Sequence, residues 1–322
     1  MSKAKIRVFG AGGAGINQAK TFLGEATLPG YAQIDVALID TSHSNISEGT
    51  AAENIYILPN VDGSGKKRAE NHEEIANTVK DVLVKHKPAD FNIVVYSGAG
   101  GSGSVYGPLL VSEMMRNNIP VLSVIIGNTT TAIEAKNTLN TLKTMDHIAR
   151  SGGVPSVVQY IQNTKDRPRR VVDQMVHTSI TALALLTSRE NDELDTADVA
   201  NWVRYHNVTD VPAQLALLDI VADEETAAGI TDPVSIASII DSGADAQIEF
   251  SPDYGCVGYK GAEVSTETPE IHYVISIHDV PELYAAISSK AGEYDEAKAA
   301  RPTQQKLVDE KKDNPTVSGL IL

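Results

Sequence analysis

Ser97-Gly98-Ala99-Gly100-Gly101-Ser102-Gly103-Ser104 decides how the rest of the chain is read. Ahead of it, Phe91-Asn92-Ile93-Val94-Val95-Tyr96 is apolar and rich in β-branched residues, the pattern of a strand buried on both faces. Beyond it, Val105 to Met115 carries apolar residues at helical spacing. A strand, a glycine-rich turn and a helix in that order place unpaired backbone N–H groups at a helix N-terminus. Those donors and the helix dipole both favour an anion. Gly98, Gly100, Gly101 and Gly103 allow phosphate oxygens to approach closely, and Ser102 and Ser104 add hydroxyl groups. A flexible Gly/Ser turn is the plain alternative. So many glycines between a buried strand and an immediate helix favour phosphate.

The pattern recurs toward the N-terminus. Lys5 to Phe9 reads as a strand, and Gly10-Ala11-Gly12-Gly13-Ala14-Gly15 leads into a helix from Ile16 to Leu23. This is a G-x-G-x-x-G fingerprint, with Gly12 and Gly13 as nucleotide candidates. A second strand, Ile34 to Ile39, ends in Asp40, roughly 25 residues after Gly15, where an NAD site places an acid on a ribose hydroxyl. These residues alone also fit a nicotinamide-linked dehydrogenase. Ile55 to Leu58, a short strand, precedes Asp62-Gly63-Ser64-Gly65-Lys66-Lys67-Arg68 and a helix from Ala69 to Lys85. Gly63 and Gly65 either face the same phosphates or form a solvated turn.

Toward the C-terminus, Val121 to Ile126 is another buried strand, followed by Gly127-Asn128-Thr129-Thr130-Thr131. Loops at the carboxyl ends of parallel strands are where open α/β sheets bind ligands, so Thr129 is a candidate contact. Glu134 and Asn137, on the helix that follows, are either ribose contacts or solvated side chains. Val154 to Ile161 is a further strand. The helix Val171 to Ser188 is too broadly apolar for a surface position and is expected between two domains. Asp173 lies in its first turn, where the dipole favours a carboxylate. In Leu194-Asp195-Thr196-Ala197-Asp198, Asp195 and Asp198 read as an N-cap with an acidic N3 partner. Beyond Pro212, strands at Ala213–Val221, Ala246–Phe250 and Tyr273–Ile277 suggest a second, smaller mixed sheet. Val234–Ile240 and Val280–Ser289 are expected to be its helices. Ala291 to Lys312 is charged and prolongs the last helix, interrupted at Pro302, and Leu320-Ile321-Leu322 ends the chain as an apolar peg.

Composition bounds the function. The 322 residues are 42% hydrophobic and 21% charged, enough for two globular domains. A net charge of −15 argues against direct nucleic-acid binding, which needs a basic face. The single cysteine, Cys256, excludes an internal disulfide and fits a reducing compartment. No apolar run approaches the ~20 residues that span a bilayer, and no leader opens the chain, so a cytoplasmic protein is expected. No metal-ligand spacing, P-loop or G-x-S-x-G elbow is present.

Together these motifs resemble the tubulin/FtsZ superfamily of GTP-dependent filament proteins, and within it the phage-encoded tubulins. Gly98–Ser104 is similar to the family's G-G-G-T/S-G-S/T-G loop, with Ala99 in place of a glycine. Gly10-Ala11-Gly12-Gly13-Ala14-Gly15-Ile16-Asn17 resembles its first nucleotide loop, Asn17 included. Glu193-Leu194-Asp195-Thr196-Ala197-Asp198 resembles its N-x-D-x-x-D/E synergy loop, with Glu193 where asparagine is usual. The resemblance implies an α/β fold: a parallel-sheet GTP-binding domain over 1–167, and a central helix with synergy loop over 168–205. A smaller α+β domain over 206–290 and a C-terminal extension over 291–322 would follow. It implies GTP/GDP and Mg²⁺ as cofactors and head-to-tail homopolymerisation. Asp173 would read guanine, Asp195 and Asp198 would complete a neighbour's catalytic site, and Leu320, Ile321 and Leu322 would make a polymer contact. A filament that positions phage DNA or a phage replication compartment in the host cytoplasm is the implied role. A plasmid-partition relative is the nearer alternative. The dehydrogenase is the more distant one, weakened by the second phosphate loop and the lack of a His/Arg or Tyr/Lys catalytic arrangement.

Overall fold

Strands β1 (Lys5–Ala11), β2 (Gln33–Asp40), β4 (Phe91–Ser97), β5 (Val121–Asn128) and β6 (Ser156–Asn163) are apolar on both sides because both sides of their sheet are covered. The computed structural model describes residues 3–243 and 252–302. Residues of one parity, such as Ile93 and Val95, pack with α1 (Gly12–Ala19), α5 (Arg169–Leu186) and α6 (Thr196–Val203). Those of the other parity, such as Val94 and Tyr96, pack with α2 (His72–Lys85), α3 (Gly103–Arg116), α4 (Ala132–Gly152) and α8 (Val280–Ala299). The short β3 (Ile55–Ile57) forms the edge beside β2. In this half every pairing is parallel. All the connecting loops at the carboxyl ends therefore emerge on one side.

The C-terminal strands do not form a second sheet. β7 (Leu215–Val221) pairs in parallel with β6 through Ser156↔Leu215, Val157↔Ala216 and Val158↔Leu217. β10 (Ile271–Ser276) is antiparallel to both β7 and β8 (Pro233–Ile240), and β9 (Tyr254–Tyr259) runs parallel to β8. The described residues thus build one 10-stranded sheet, ordered β3-β2-β1-β4-β5-β6-β7-β10-β8-β9, parallel in its first part and mixed in its second. Val234–Ile240, expected as a helix, is strand β8. Its apolar residues pack on both faces, which hides the period-2 signal, and its β-branched content suits a strand. Strand β9 and the short helix α7 (Glu224–Ala228) carried no clear local signal. The Ala246–Phe250 strand and the Leu320–Leu322 peg lie outside the described residues.

Helix α5 has an exposed face over its first turns and is wholly buried from Ala182 to Leu186, where it covers both parts of the sheet. Tyr273 of β10 donates its hydroxyl to the Ala182 carbonyl at 2.6 Å, and Trp202 Nε1 of α6 donates to the Tyr273 carbonyl at 3.0 Å. These bonds fix α6, and with it Asp195 and Asp198, to the core.

His86, just past the end of α2, is buried, and its imidazole is pushed down to about 4, by burial first and then by Lys85 and Arg7. The fold holds the ring neutral, so the unfolded chain takes the proton first as pH falls below 6.5. This stability is intact above about 6.5 and is lost as pH falls toward about 4. Urea titrations should show unfolding free energy dropping by about 2 kcal/mol from this group between pH 7 and pH 5. In His86→Gln the pH dependence should flatten by that amount, and an unchanged slope would assign the acid sensitivity to other groups.

Candidate functional site

Two helices begin at the same cavity. Helix α1 starts within the first glycine loop, at Gly12 rather than Ile16, and α3 starts at Gly103, and neither has a side-chain N-cap hydrogen bond. Their leading N–H groups are therefore left for a ligand or solvent. The two loops touch through their backbones: Gly12 has φ 69°, and a Cβ on it would lie 2.6 Å from the Gly103 nitrogen. That contact admits only glycine at 12. Gly100 differs, because its φ is ordinary and a Cβ there would meet nothing nearer than Ser97 at 3.9 Å. Neither backbone strain nor protein packing explains glycine at 100; open space over the cavity does.

The cavity has a volume of about 420 Å³. Of the residues singled out from sequence, Gly12, Gly13, Asp40, Gly63, Gly65, Gly100, Gly101, Ser102, Gly103 and Glu134 line it. Ser42, Ser44 and Asn45 also line it and were missed. Their signal is the polar run after β2, at the carboxyl end of a parallel strand. The inner wall is a hydroxyl cluster: Ser102 Oγ lies 2.6 Å from Thr41 Oγ1 and 3.1 Å from Ser64 Oγ. Asp40 closes it beneath, accepting from the Thr41 N–H at 2.8 Å. Burial pushes the Asp40 carboxyl up, opposed by hydrogen bonds from Thr41, Ser102 and Asn45.

Other candidates sit behind the lining. Ser104 is fully buried and donates its hydroxyl to the Gly100 and Gly101 carbonyls, so it shapes the loop rather than offering a donor to a ligand. Asn137 is also buried, and its Nδ2 donates to Lys66 O at 2.9 Å, Ala99 O at 3.1 Å and Gly100 O at 3.3 Å. It holds two loops together. The Gly98 N–H bonds the Ile126 carbonyl, continuing the β4–β5 ladder. Thr129 is tied to α8 through Tyr294, whose hydroxyl donates to its carbonyl at 2.9 Å. Asn17 is half-buried on α1. Asp173 stands one turn into α5, accepts from the Gln18 amide of α1 and pairs with Arg169 at 3.6 Å. None of these six borders the cavity directly. Arg68 turns away onto α4, donating to Thr141 at 2.6 Å and Thr144 at 2.8 Å. Lys66 faces the cavity and pairs with Glu134 at 2.7 Å. Burial raises the Glu134 carboxyl, but the hydrogen bonds from Lys66 and Thr131 outweigh it and hold the group below the usual carboxylate range.

Asp195 and Asp198 lie at the other end of the sheet. Asp195 borders a cleft with Asp90, Phe91 and Pro120, at the amino ends of β4 and β5, whereas the glycine loops leave the carboxyl ends. A seven-residue strand at about 3.3 Å per residue puts about 20 Å between the two ends. The expected capping box is present: Asp195 accepts from the N–H groups of Ala197 at 2.7 Å and Asp198 at 2.9 Å, and Asp198 accepts from the Asp195 N–H at 3.0 Å. Those backbone bonds hold the exposed Asp195 carboxyl below its ordinary value. The preceding loop is clamped by paired backbone bonds between Asp192 and Tyr259, both 2.9 Å, and by Arg189 on Asp90 at 2.9 Å. Glu193 adopts φ 62°, a left-handed conformation that asparagine tolerates better than glutamate. That explains in physical terms why asparagine suits this position.

Comparison with known proteins shows the family and the fold. Residues 194–279 match the family model described as phage tubulin-like protein, C-terminal domain. A phage tubulin-like protein of Pseudomonas phage phiKZ is 31% identical over 334 residues, covering 100% of this chain and 99% of that protein. Among solved structures, a protofilament of TubZ from bacteriophage PhiKZ superposes with a TM-score of 0.88 at 30% identity, covering 98% of this chain and 99% of that one. The phage tubulin PhuZ with GDP gives 0.87 at 26% identity, with the same coverage. With identity at this level sustained from end to end, and the same fold throughout, the chain belongs to the phage tubulin-like proteins.

Proposed function

We propose that this protein is a GTPase that polymerises head-to-tail and completes its catalytic site only between subunits. One observation carries the reading: the phosphate-type cavity and the acidic loop occupy opposite ends of one rigid sheet. A subunit cannot bring Asp195 and Asp198 to its own cavity. Stacked copies juxtapose the acids of one with the cavity of the next. The related TubZ structure is described as a protofilament and the related PhuZ structure contains GDP, which supports both halves of the reading.

The residues present suit a guanine nucleotide with Mg²⁺. The uncapped starts of α1 and α3 face phosphate oxygens, and the open space over Gly100 leaves room for them. Asp40, Ser64 and Ser102 supply oxygen donors of the kind Mg²⁺ prefers. That ion would offset charge on the phosphates during phosphoryl transfer. Hydrolysis is then mainly a matter of positioning. Asp195 and Asp198 of one subunit hold the attacking water in line with the bond that breaks, while the glycine loops of the next hold the phosphates. Glu134 serves the ribose. Asp173 reads guanine by accepting from its N1–H and N2–H, and Leu320–Leu322 make a polymer contact. Positioning of phage DNA or a replication compartment in the host cytoplasm is the cellular role this implies.

Right-angle light scattering tests the reading directly. GTP should produce a concentration-dependent rise, while GDP and NAD, added separately, should not. A rise with NAD, or none with GTP at any protein concentration, would overturn it.

A further inference from the structure

The two acids of the loop before α6 are held differently. Asp195 takes both of its capping bonds on Oδ1, from the Ala197 and Asp198 N–H groups of its own turn. Asp198 is held on both oxygens and from two elements. Its Oδ2 accepts from the Asp195 N–H at 3.0 Å, and its Oδ1 accepts from the Tyr254 hydroxyl of β9 at 3.3 Å. Asn201, on the next turn of α6, hydrogen-bonds the same phenol, which leaves the hydroxyl hydrogen to Asp198. Burial first, then Cys256 and Asp198, push the Tyr254 phenol up to about 12, so it keeps that hydrogen at neutral pH. The helix does not need this bond for its place. Val199 and Val203 are buried in the core, and Trp202 already donates to the Tyr273 carbonyl at 3.0 Å. What the Tyr254 bond adds is orientation. Held by the capping bond alone, the Asp198 carboxylate has a broad range of rotation about its last side-chain torsion. A second anchor on the other oxygen fixes its plane and leaves a lone pair on each oxygen for another donor.

We propose that Tyr254 is a positioning residue of the shared catalytic site, turning the Asp198 carboxylate so that its remaining lone pairs meet the water attacking in the neighbouring subunit. The inference rests on the reading that Asp195 and Asp198 complete a neighbour's site, and adds what aims one of them. Aim matters because misplacing a reacting group by about 1 Å can cost about a hundredfold in rate. A residue of β9, in the mixed part of the sheet, thereby acts on hydrolysis through Asp198 without touching the nucleotide.

Turnover in mixed filaments of the full chain tests it. The reference pair is Asp198→Ala, which supplies the cavity, with Gly100→Val, whose blocked cavity leaves it to supply the acids. Tyr254→Phe keeps the ring and removes the hydroxyl. Placed on the acid-supplying subunit, it should lower GTP turnover of the mixture about tenfold. Placed on the Asp198→Ala subunit, where no carboxylate is left to aim, it should change turnover by less than about twofold. Both mixtures should copellet as the reference pair does. A loss as great on the cavity-supplying subunit, no loss in either placement, or a Tyr254→Phe subunit that no longer copellets makes the bond a structural tie and overturns the assignment. A reference pair that copellets without turnover overturns the shared site itself, and the role of Tyr254 with it.

Discussion

Asp198→Ala is expected to leave GTP binding within about twofold of the parent and to lower turnover in filaments by about a hundredfold or more. Assembly should persist, because every residue lining the cavity is intact, and filaments should accumulate in a GTP-bound state. The competing view is that Asp198 only completes the capping box and accepts from Tyr254 at 3.3 Å. On that view the substitution costs about 0.5–1 kcal/mol of stability and leaves turnover alone. Mixing separates the two. A subunit lacking Asp198 but able to bind GTP should be complemented by one with intact Asp198 and a blocked cavity, provided both enter one filament. Turnover by the Asp198→Ala protein at the parent rate would remove the shared-site reading, whatever the filaments look like.

The blocked partner for that experiment is Gly100→Val, the second large expected effect. A Cβ at 100 meets nothing nearer than 3.9 Å, so the substitution should fold with an unchanged melting temperature. Its methyl groups would stand in the space assigned to phosphate, and nucleotide affinity should fall at least about a hundredfold, about 2.7 kcal/mol. Gly103→Ala makes the contrast. A Cβ there would lie 2.6 Å from the Ala11 carbonyl oxygen, so it should damage stability as well as binding. Parent-like affinity in Gly100→Val would place the nucleotide somewhere other than over this loop.

The sequence alone was sufficient for whatever local chemistry dictates. Apolar, β-branched runs such as Phe91–Tyr96 and Val121–Ile126 are strands covered on both faces. The glycines after β1 and β4 place uncapped helix starts at strand ends. The Asp195–Asp198 spacing is a capping box whatever else it does. What local pattern leaves open, the tertiary structure decided. Val234–Ile240 is a strand because β10 and β9 flank it and supply hydrogen-bond partners to either edge, and no residue within the segment records that. The C-terminal strands extend the first sheet because β7 pairs with β6, a pairing between segments distant in sequence. Ser104 and Asn137 have the right chemistry for ligand contacts but are spent on the carbonyls of neighbouring loops. Ser42, Ser44 and Asn45 reach the cavity only because β2 ends beside it. The separation of the acids from the cavity also belongs to the tertiary structure. Which end of a sheet a loop occupies depends on the direction of its strands and on α5 carrying the chain back across them, and short-range spacing is blind to both.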